Sequence, residues 1–177
     1  GVTAYRAIRR AGVRFGQRVA IIGIGGVGHM SLQFAKVAGA ETIAIDRLEG
    51  QLKLAKELGS DHTFLAEDVE NYISKTGKVD IVMVHAPSQR AVGQATRIVK
   101  RGGIILMGVL GDIRIIFPEE YSILSSVIGS RQDMKETLNI ASMGKVKVIK
   151  TSYKLSEASD ILLKLKQGQI IKLLPTF

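Results

Sequence analysis

Apolar positions follow two patterns along most of this chain, and together they predict a layered α/β protein. Short runs that are apolar at nearly every position, such as Val19-Ala20-Ile21-Ile22, are typical of strands covered on both faces of a parallel sheet. Segments with apolar residues three and four positions apart follow these runs and predict amphipathic helices. Strands are predicted at 19–23, 42–46, 63–64, 79–84 and 104–107, and helices at 3–10, 26–38, 48–58, 67–75 and from Pro87-Ser88 to the glycine pair at 102–103. This alternation indicates an α/β fold with a doubly wound parallel sheet of the Rossmann type.

The last third of the chain has a less regular pattern. Short strands are predicted at 113–117 and 126–128, and helices at 133–143 and 157–167. Ser156 is expected to cap the second of these helices, because a serine hydroxyl can accept a hydrogen bond from an amide of the first turn.

A glycine-rich turn directly follows the first predicted strand and opens a helix. In the stretch Gly23-Ile24-Gly25-Gly26-Val27-Gly28, the first glycine permits the tight turn, the second lets the backbone approach a pyrophosphate, and the last lets helix and strand pack closely. The amides and dipole at the helix N-terminus favour a bound diphosphate. The turn therefore predicts dinucleotide binding.

An acidic residue ends the second predicted strand. Asp46 lies 18 residues beyond Gly28, near the offset at which a carboxylate bonds the adenosine ribose hydroxyls of a dinucleotide. The alternative is an ordinary βαβ turn followed by a solvated aspartate.

Composition limits the number of domains and the kinds of disulfide and metal site that the chain can contain. The 177 residues are 46% apolar with no Trp and no Cys, which fits one domain with an aliphatic core and excludes disulfides and thiolate zinc sites. The three histidines, His29, His62 and His85, have no metal-ligand spacing and are interpreted as surface or structural imidazoles. We therefore predict no metal site in this chain.

Charge and hydropathy exclude two kinds of partner. The formal charge is +9, but no basic run exceeds two residues, and scattered charge without clusters argues against nucleic-acid binding. A basic surface would instead attract an anionic dinucleotide. No apolar run approaches the ~18 residues that would cross a bilayer, and the first residues lack the apolar core of a signal peptide. The sequence predicts a cytoplasmic protein with no membrane partner.

Several stretches, taken together, resemble the medium-chain, zinc-type alcohol dehydrogenases over essentially the whole chain. They are Gly1-Val2-Thr3-Ala4-Tyr5, the Gly23–Gly28 turn, Leu54-Ala55-Lys56-Glu57-Leu58-Gly59-Ser60-Asp61, Gly102-Gly103-Ile104-Ile105-Leu106-Met107-Gly108 and Ile128-Gly129-Ser130. The resemblance implies the cofactor-binding portion of an NAD-dependent oxidoreductase, with residues 1–144 as the dinucleotide-binding domain. It also implies that residues 145–177 form the segment that returns to the family's catalytic domain.

The same resemblance implies that the alcohol chemistry belongs to another part of the family's chain. There the zinc ligands and the proton-relay hydroxyl precede the stretch that matches Gly1-Val2-Thr3. Zinc is therefore expected only in that part. No catalytic residue is assigned here, and this chain is expected to be inactive alone.

Cofactor contacts carry over from the family to individual residues. Gly25, Gly26 and Val27 would meet the pyrophosphate, with Val27 also flanking the nicotinamide, and Asp46 would hold the adenosine ribose. The remaining implied contacts are backbone groups of Met107, Gly108, Val109 and Ile128 near the carboxamide, Thr3 near the nicotinamide, and Lys172 on the pyrophosphate.

Some positions depart from the family's pattern. Val84-His85-Ala86-Pro87 replaces a glycine-containing turn after the fourth strand. Lys172 replaces an arginine, and a lysine supplies a point charge without the bidentate fork of an arginine. Arg47 could stack on adenine, pair with a 2′-phosphate, or be solvated. Because Asp46 would repel that phosphate, the sequence favours NAD over NADP. Lys172 could likewise be solvated, and Met107 and Val109 could simply belong to the core.

Two further expectations concern assembly and function. The segment 126–130 resembles the family's edge strand, which implies a homodimer. The alternatives to a dehydrogenase portion are a stand-alone NAD-binding module and a relative of the zinc-free quinone reductases.

Overall fold

A computed structural model describes residues 1–166 and 174–175. The chain divides into two compact units, Gly1–Lys147 and Val148–Phe177. The first unit is built on six strands in the order β3-β2-β1-β4-β5-β6, all parallel. The strands are β1 Arg18–Ile22, β2 Glu41–Asp46, β3 His62–Leu65, β4 Val79–Val84, β5 Val99–Met107 and β6 Ser122–Ser125. The predicted doubly wound parallel sheet is confirmed.

Helices cover both faces of this sheet because alternate strand residues point to opposite sides. In β1, Val19 and Ile21 belong to a core cluster with α1 and α2, whereas Ala20 and Ile22 belong to a second cluster with α4 and α5. The helices are α1 Val2–Ala11, α2 Gly28–Val37, α3 Glu49–Glu57, α4 Val69–Thr76, α5 Gln89–Ile98 and α6 Arg131–Ser142. No helix among the described residues is long and apolar enough to cross a bilayer.

The two short strands predicted after the fifth strand are wrong. Residues 113–117 are irregular, and Ile115 and Phe117 are 76% and 93% exposed, so this apolar run has no sheet neighbour. Strand β6 ends at Ser125, before the predicted 126–128 strand. Ile128 has φ 50°, and a left-handed backbone cannot continue an extended strand.

Several predicted helix boundaries also differ, and α2 and α4 both begin two residues later than predicted. Two of the differences have a clear physical cause. Helix α5 ends at Ile98 and β5 begins directly at Val99, so the glycine pair at 102–103 lies inside a strand and does not end the helix. Helix α6 begins at Arg131, two residues earlier than predicted, because Ser130 and Asp133 form a reciprocal capping box.

The second unit contains a two-stranded parallel sheet and one helix. Strand β7, Ser152–Tyr153, pairs with β8, Leu174–Pro175, and α7 covers Ala158–Lys166. A 3₁₀ turn, Leu155–Glu157, precedes α7. Ser156 therefore lies inside this turn, and its prediction as a helix cap is wrong.

Candidate cofactor-binding site

The carboxyl ends of all six strands meet at one edge of the sheet, because the strands are parallel. Three of the predicted groups follow strands at this edge: the glycine turn after β1, Asp46 at the end of β2, and Met107 at the end of β5. Strand order reverses between β1 and β4. In open α/β sheets this switch point forms the crevice in which ligands bind.

Two glycines of the turn are required by the packing of the protein itself. Gly23 has φ 95°, and a Cβ there would lie 2.7 Å from the backbone nitrogen of Ala86. A Cβ on Gly28 would lie 1.8 Å from the carbonyl oxygen of Gly23. Any larger residue at either position would therefore displace backbone.

The two central glycines have no such explanation within the protein. A Cβ on Gly25 or Gly26 would meet nothing within 4 Å, and neither residue has a left-handed φ. Within the described residues, the amides of Gly25, Gly26 and Val27 donate to no acceptor. Amides without an acceptor, beside two glycines that leave open space at the start of a ten-residue helix, fit a diphosphate, since an anion can approach such a backbone closely.

The Asp46 carboxylate is tied to the backbone on both sides. Its Oδ2 accepts from the amide of Ile24 at 2.7 Å and its Oδ1 accepts from the amide of Leu48 at 3.0 Å. These bonds hold the glycine turn against the end of β2, a role the sequence analysis missed. Each carboxylate oxygen retains acceptor capacity for a ribose hydroxyl. The neighbouring Arg47 is exposed and has no polar partner among the described residues.

The end of β5 presents backbone to the crevice and keeps its side chains in the core. Met107 is 8% exposed and packs in the core cluster on the α4–α5 face, against which the half-buried Val109 also lies. Gly108 is exposed, and its amide donates to the Val84 carbonyl at 2.9 Å. For Met107 and Val109, therefore, only backbone groups remain as candidate contacts beside the Gly108 carbonyl, and the Met107 carbonyl already accepts from the Ser126 amide at 3.1 Å.

The predicted contacts at Thr3 and Ile128 lie on elements that meet in the structure. A Cβ on Gly129 would lie 2.6 Å from Cγ2 of Val2, so the start of α1 packs on the loop that carries Ile128. A left-handed β-branched residue is uncommon and costs free energy, and Ile128 is 64% exposed. In the same loop, the buried Ser126 hydroxyl has no partner among the described residues. Lys172, by contrast, lies outside the described residues.

His85 follows β4 directly and lies at the switch point. Its amide donates to the Ile22 carbonyl at 2.8 Å, and its Nε2 lies 2.9 Å from the Ser31 Oγ. Burial lowers the pKa of His85 from 6.5 to about 4, so the imidazole is neutral at pH 7. The sequence signal for this residue was the departure from a glycine-containing turn.

Zinc does not fit the described residues. No group of three His, Asp or Glu side chains among them could hold a metal ion, and the chain contains no cysteine. We therefore derive no step of a reaction through zinc.

The six-stranded parallel sheet, with a glycine turn at its switch point, defines a Rossmann-type fold. Residues 26–143 match the family model described as zinc-binding dehydrogenase. The chain therefore belongs to the zinc-binding dehydrogenase family, and the resemblance found in its sequence is confirmed.

Individual relatives agree with this assignment. An alcohol dehydrogenase from Geobacillus stearothermophilus is 36% identical over an alignment of 179 positions, which covers 96% of this chain and 53% of the relative. The crystal structure of the alcohol dehydrogenase from the archaeon Aeropyrum pernix superimposes with a TM-score of 0.90 at 33% identity, over 97% of this chain and 53% of the other. The chain thus spans about half the length of the relatives it matches.

Two similar structures contain a dinucleotide. Acetophenone reductase from Geotrichum candidum, in complex with NAD, is 27% identical with a TM-score of 0.84, over 97% of this chain and 51% of the other. A zinc-binding dehydrogenase from Sinorhizobium meliloti, bound to NADP, is 27% identical with a TM-score of 0.83, over 91% of this chain and 52% of the other. Both nucleotides therefore occur on this fold.

Proposed function

We propose that this chain is the NAD-binding portion of a zinc-type alcohol dehydrogenase, and that it orients the nicotinamide for hydride transfer from an alcohol. One observation carries the proposal. The amides of Gly25, Gly26 and Val27 have no acceptor among the described residues, and at the start of α2 the Cβ positions of Gly25 and Gly26 lie in open space. Side chains are absent there although protein packing does not require it, which is expected where a ligand occupies the space.

The proposed contacts with the diphosphate, the ribose and the carboxamide use groups at or after the carboxyl ends of the strands. The three amides bind the diphosphate, and the free lone pairs of Asp46 bind the adenosine ribose. Backbone groups from Met107 to Val109 and at Ile128 bind the carboxamide, and Thr3 lies on the nicotinamide side. The bound nicotinamide supplies the hydride chemistry, whereas the protein holds and orients the ring.

We propose NAD as the preferred nucleotide. The carboxylate of Asp46 would lie where NADP carries its 2′-phosphate, and two negative charges at that distance repel each other. Arg47 is exposed beside it and could offset part of this repulsion, so the preference is open to a direct test.

The oxidation of the alcohol is proposed to require a further part of the longer protein. This follows from the resemblance, in which the zinc ligands precede the stretch that matches residues 1–3. The 177 residues are therefore expected to bind cofactor without alcohol turnover, and measurable turnover by them would contradict this.

A calorimetric titration with NAD and NADP tests the binding proposal, with Gly25→Ala as the variant and Gly50→Ala as its matched control. Both glycines have open space around the position of a Cβ, so both variants are expected to fold. Only Gly25→Ala places a methyl group where the diphosphate would lie, and we expect it to weaken NAD binding at least about tenfold. Equal affinities of the two variants, or no NAD binding at millimolar concentration by the unaltered chain, would contradict the proposal. Tighter binding of NADP would contradict the role of Asp46.

We also propose a homodimer that forms through β6. This strand, Ser122–Ser125, is the last in the sheet order, and an unpaired edge offers N–H and C=O groups to a second copy. The predicted location at 126–130 is corrected to this strand, since the chain leaves the sheet after Ser125. Analytical ultracentrifugation that shows only monomer at about 100 μM, well above typical dimer dissociation constants, would contradict the dimer.

A further inference from the structure

His85 is a half-buried titratable group that the proposed function leaves without a role. It lies between the two halves of the crevice, because its backbone follows β4 and its amide bonds the last residue of β1, Ile22. An imidazole that is largely shielded from water at a ligand-binding edge calls for a physical explanation.

The ring contacts two elements that border the crevice. Its Nε2 lies 2.9 Å from the hydroxyl of Ser31 on α2, the helix that begins at the glycine turn. On the other side, a Cβ added to Gly108 would lie 2.5 Å from Nδ1 and 3.0 Å from Cε1 of His85. The imidazole therefore occupies the volume that a side chain at position 108 would need.

This arrangement depends on an uncharged ring. A neutral imidazole has one nitrogen that donates and one that accepts, so it can bond the Ser31 hydroxyl and lie against backbone without a desolvated charge. Burial, which lowers the pKa of His85 to about 4, keeps the ring in this form at neutral pH.

We propose that His85 is a positioning residue that braces the backbone of Gly108 through its bond to Ser31, and thereby orients the nicotinamide half of the bound dinucleotide. This inference rests on the proposed function, in which the backbone near Gly108 binds the carboxamide. We assign His85 to the nicotinamide half of the dinucleotide because its ring lies against Gly108, just after β5, on one side of the switch point. Asp46, which is proposed to bind the adenosine ribose, lies on the other side, at the end of β2.

The test compares the affinities of NADH and ADP-ribose, because ADP-ribose contains the adenosine diphosphate part but no nicotinamide. We expect His85→Leu to weaken NADH binding about tenfold and ADP-ribose binding less than about twofold. His85→Gln retains a neutral amide that can bond the Ser31 hydroxyl, and it is expected to recover most of the NADH affinity. His62→Leu is the matched control, since His62 begins β3, at the end of the sheet opposite the crevice.

A second readout separates positioning from general damage to the fold. The emission of bound NADH reports the surroundings of its nicotinamide, and we expect it to change in His85→Leu and to return in His85→Gln. If His85→Leu does not fold, Ser31→Ala replaces it in the test, because this substitution removes only the hydroxyl. We expect Ser31→Ala to weaken NADH binding about threefold more than ADP-ribose binding.

The outcomes distinguish the inference from the proposed function. If the folded His85→Leu variant loses affinity for NADH and ADP-ribose equally, or loses affinity for neither, the role of His85 is overturned and the proposed function still stands. If the unaltered chain binds neither ligand, the proposed function fails, and the inference fails with it.

Discussion

The two sides of the crevice differ in how their backbones are held. On the β1–β2 side, one contact lies within the glycine turn, where Gly28 packs against Gly23, and Asp46 from the end of β2 bonds the amides of Ile24 and Leu48. On the β5–β6 side, Gly108 lies against His85, and Gly129 lies against Val2 at the start of the chain. The first side therefore includes a contact within one short motif, whereas both contacts of the second side join separate segments of the chain.

This difference extends to exposure and strain. The β5–β6 side includes an irregular apolar segment in which Leu110 and Phe117 are 98% and 93% exposed, and it includes the left-handed Ile128. The β1–β2 side has no left-handed residue other than glycine within the turn. We therefore expect substitutions in the turn to affect folding most, and substitutions in the loop after β6 to affect it least.

The largest effect is expected for Gly28→Ala. Its Cβ would lie 1.8 Å from the Gly23 carbonyl oxygen, and rigid backbone cannot move without disrupting β1 or α2. We expect a loss of at least about 3 kcal/mol in the free energy of unfolding, measured by urea denaturation. Gly50→Ala is the control, and because Gly50 lies in α3 it should be more stable than the unaltered chain by up to about 1 kcal/mol. A folded Gly28→Ala of normal stability would remove the basis of this comparison.

A smaller effect is expected from acid, through His85. Its pKa is about 4 when folded and 6.5 when exposed, so between these values the unfolded chain binds more protons. The resulting stability is full above pH 6.5, is lost as pH falls from 6.5 to 4, and changes no further below 4. The loss is up to about 3 kcal/mol.

The difference in stability between the unaltered chain and His85→Gln isolates the pH-dependent contribution of His85, because the other titrating groups are common to both proteins. Denaturation at pH 7, 5.5 and 4 should show the difference between the two proteins shrink as pH falls. A constant difference over this range would show that the imidazole does not titrate as its burial implies.

The smallest effect is expected for Ile128→Gly, and its sign is opposite. Glycine adopts φ 50° without the steric cost that isoleucine bears there, and the exposed side chain contributes little burial. We expect a gain of about 0.5 kcal/mol after the entropy of glycine is counted. Val127→Gly, next to it and without a positive φ, should instead reduce stability. Melting curves of Ile128→Gly and Val127→Gly would show whether backbone strain at position 128 distinguishes the loop after β6 from the glycine turn.

Sequence patterns predicted the regular part of the fold well for a physical reason. Runs such as Val79–Val84 must be covered on both faces, and the amphipathic helices between the runs can bury their apolar faces only against such a sheet. The patterns were wrong at 113–117 and 126–128. An apolar run there predicted strands, but strands also need a neighbour in the correct register. The pairing of β6 already ends at Ser125, three residues before the left-handed Ile128.

The candidate site likewise has a part that the sequence predicted and a part that it did not. The turn from Gly23 to Gly28 and the acid at position 46 could be found from spacing, because each glycine has a local geometric task. The bonds from Asp46 to Ile24 and Leu48, and the contact of His85 with Ser31 and Gly108, join separate elements. No periodicity in the sequence reports such contacts.

By itself, the sequence determined the parallel α/β architecture, the place of the glycine turn and the family to which the chain belongs, because hydrophobic periodicity and glycine spacing are properties of neighbouring residues. Only the tertiary structure decided that Gly25 and Gly26 face open space, that β6 ends at Ser125, and that a neutral His85 lies against Gly108. These features depend on which distant segments occupy the same volume, and that is settled only when the chain packs.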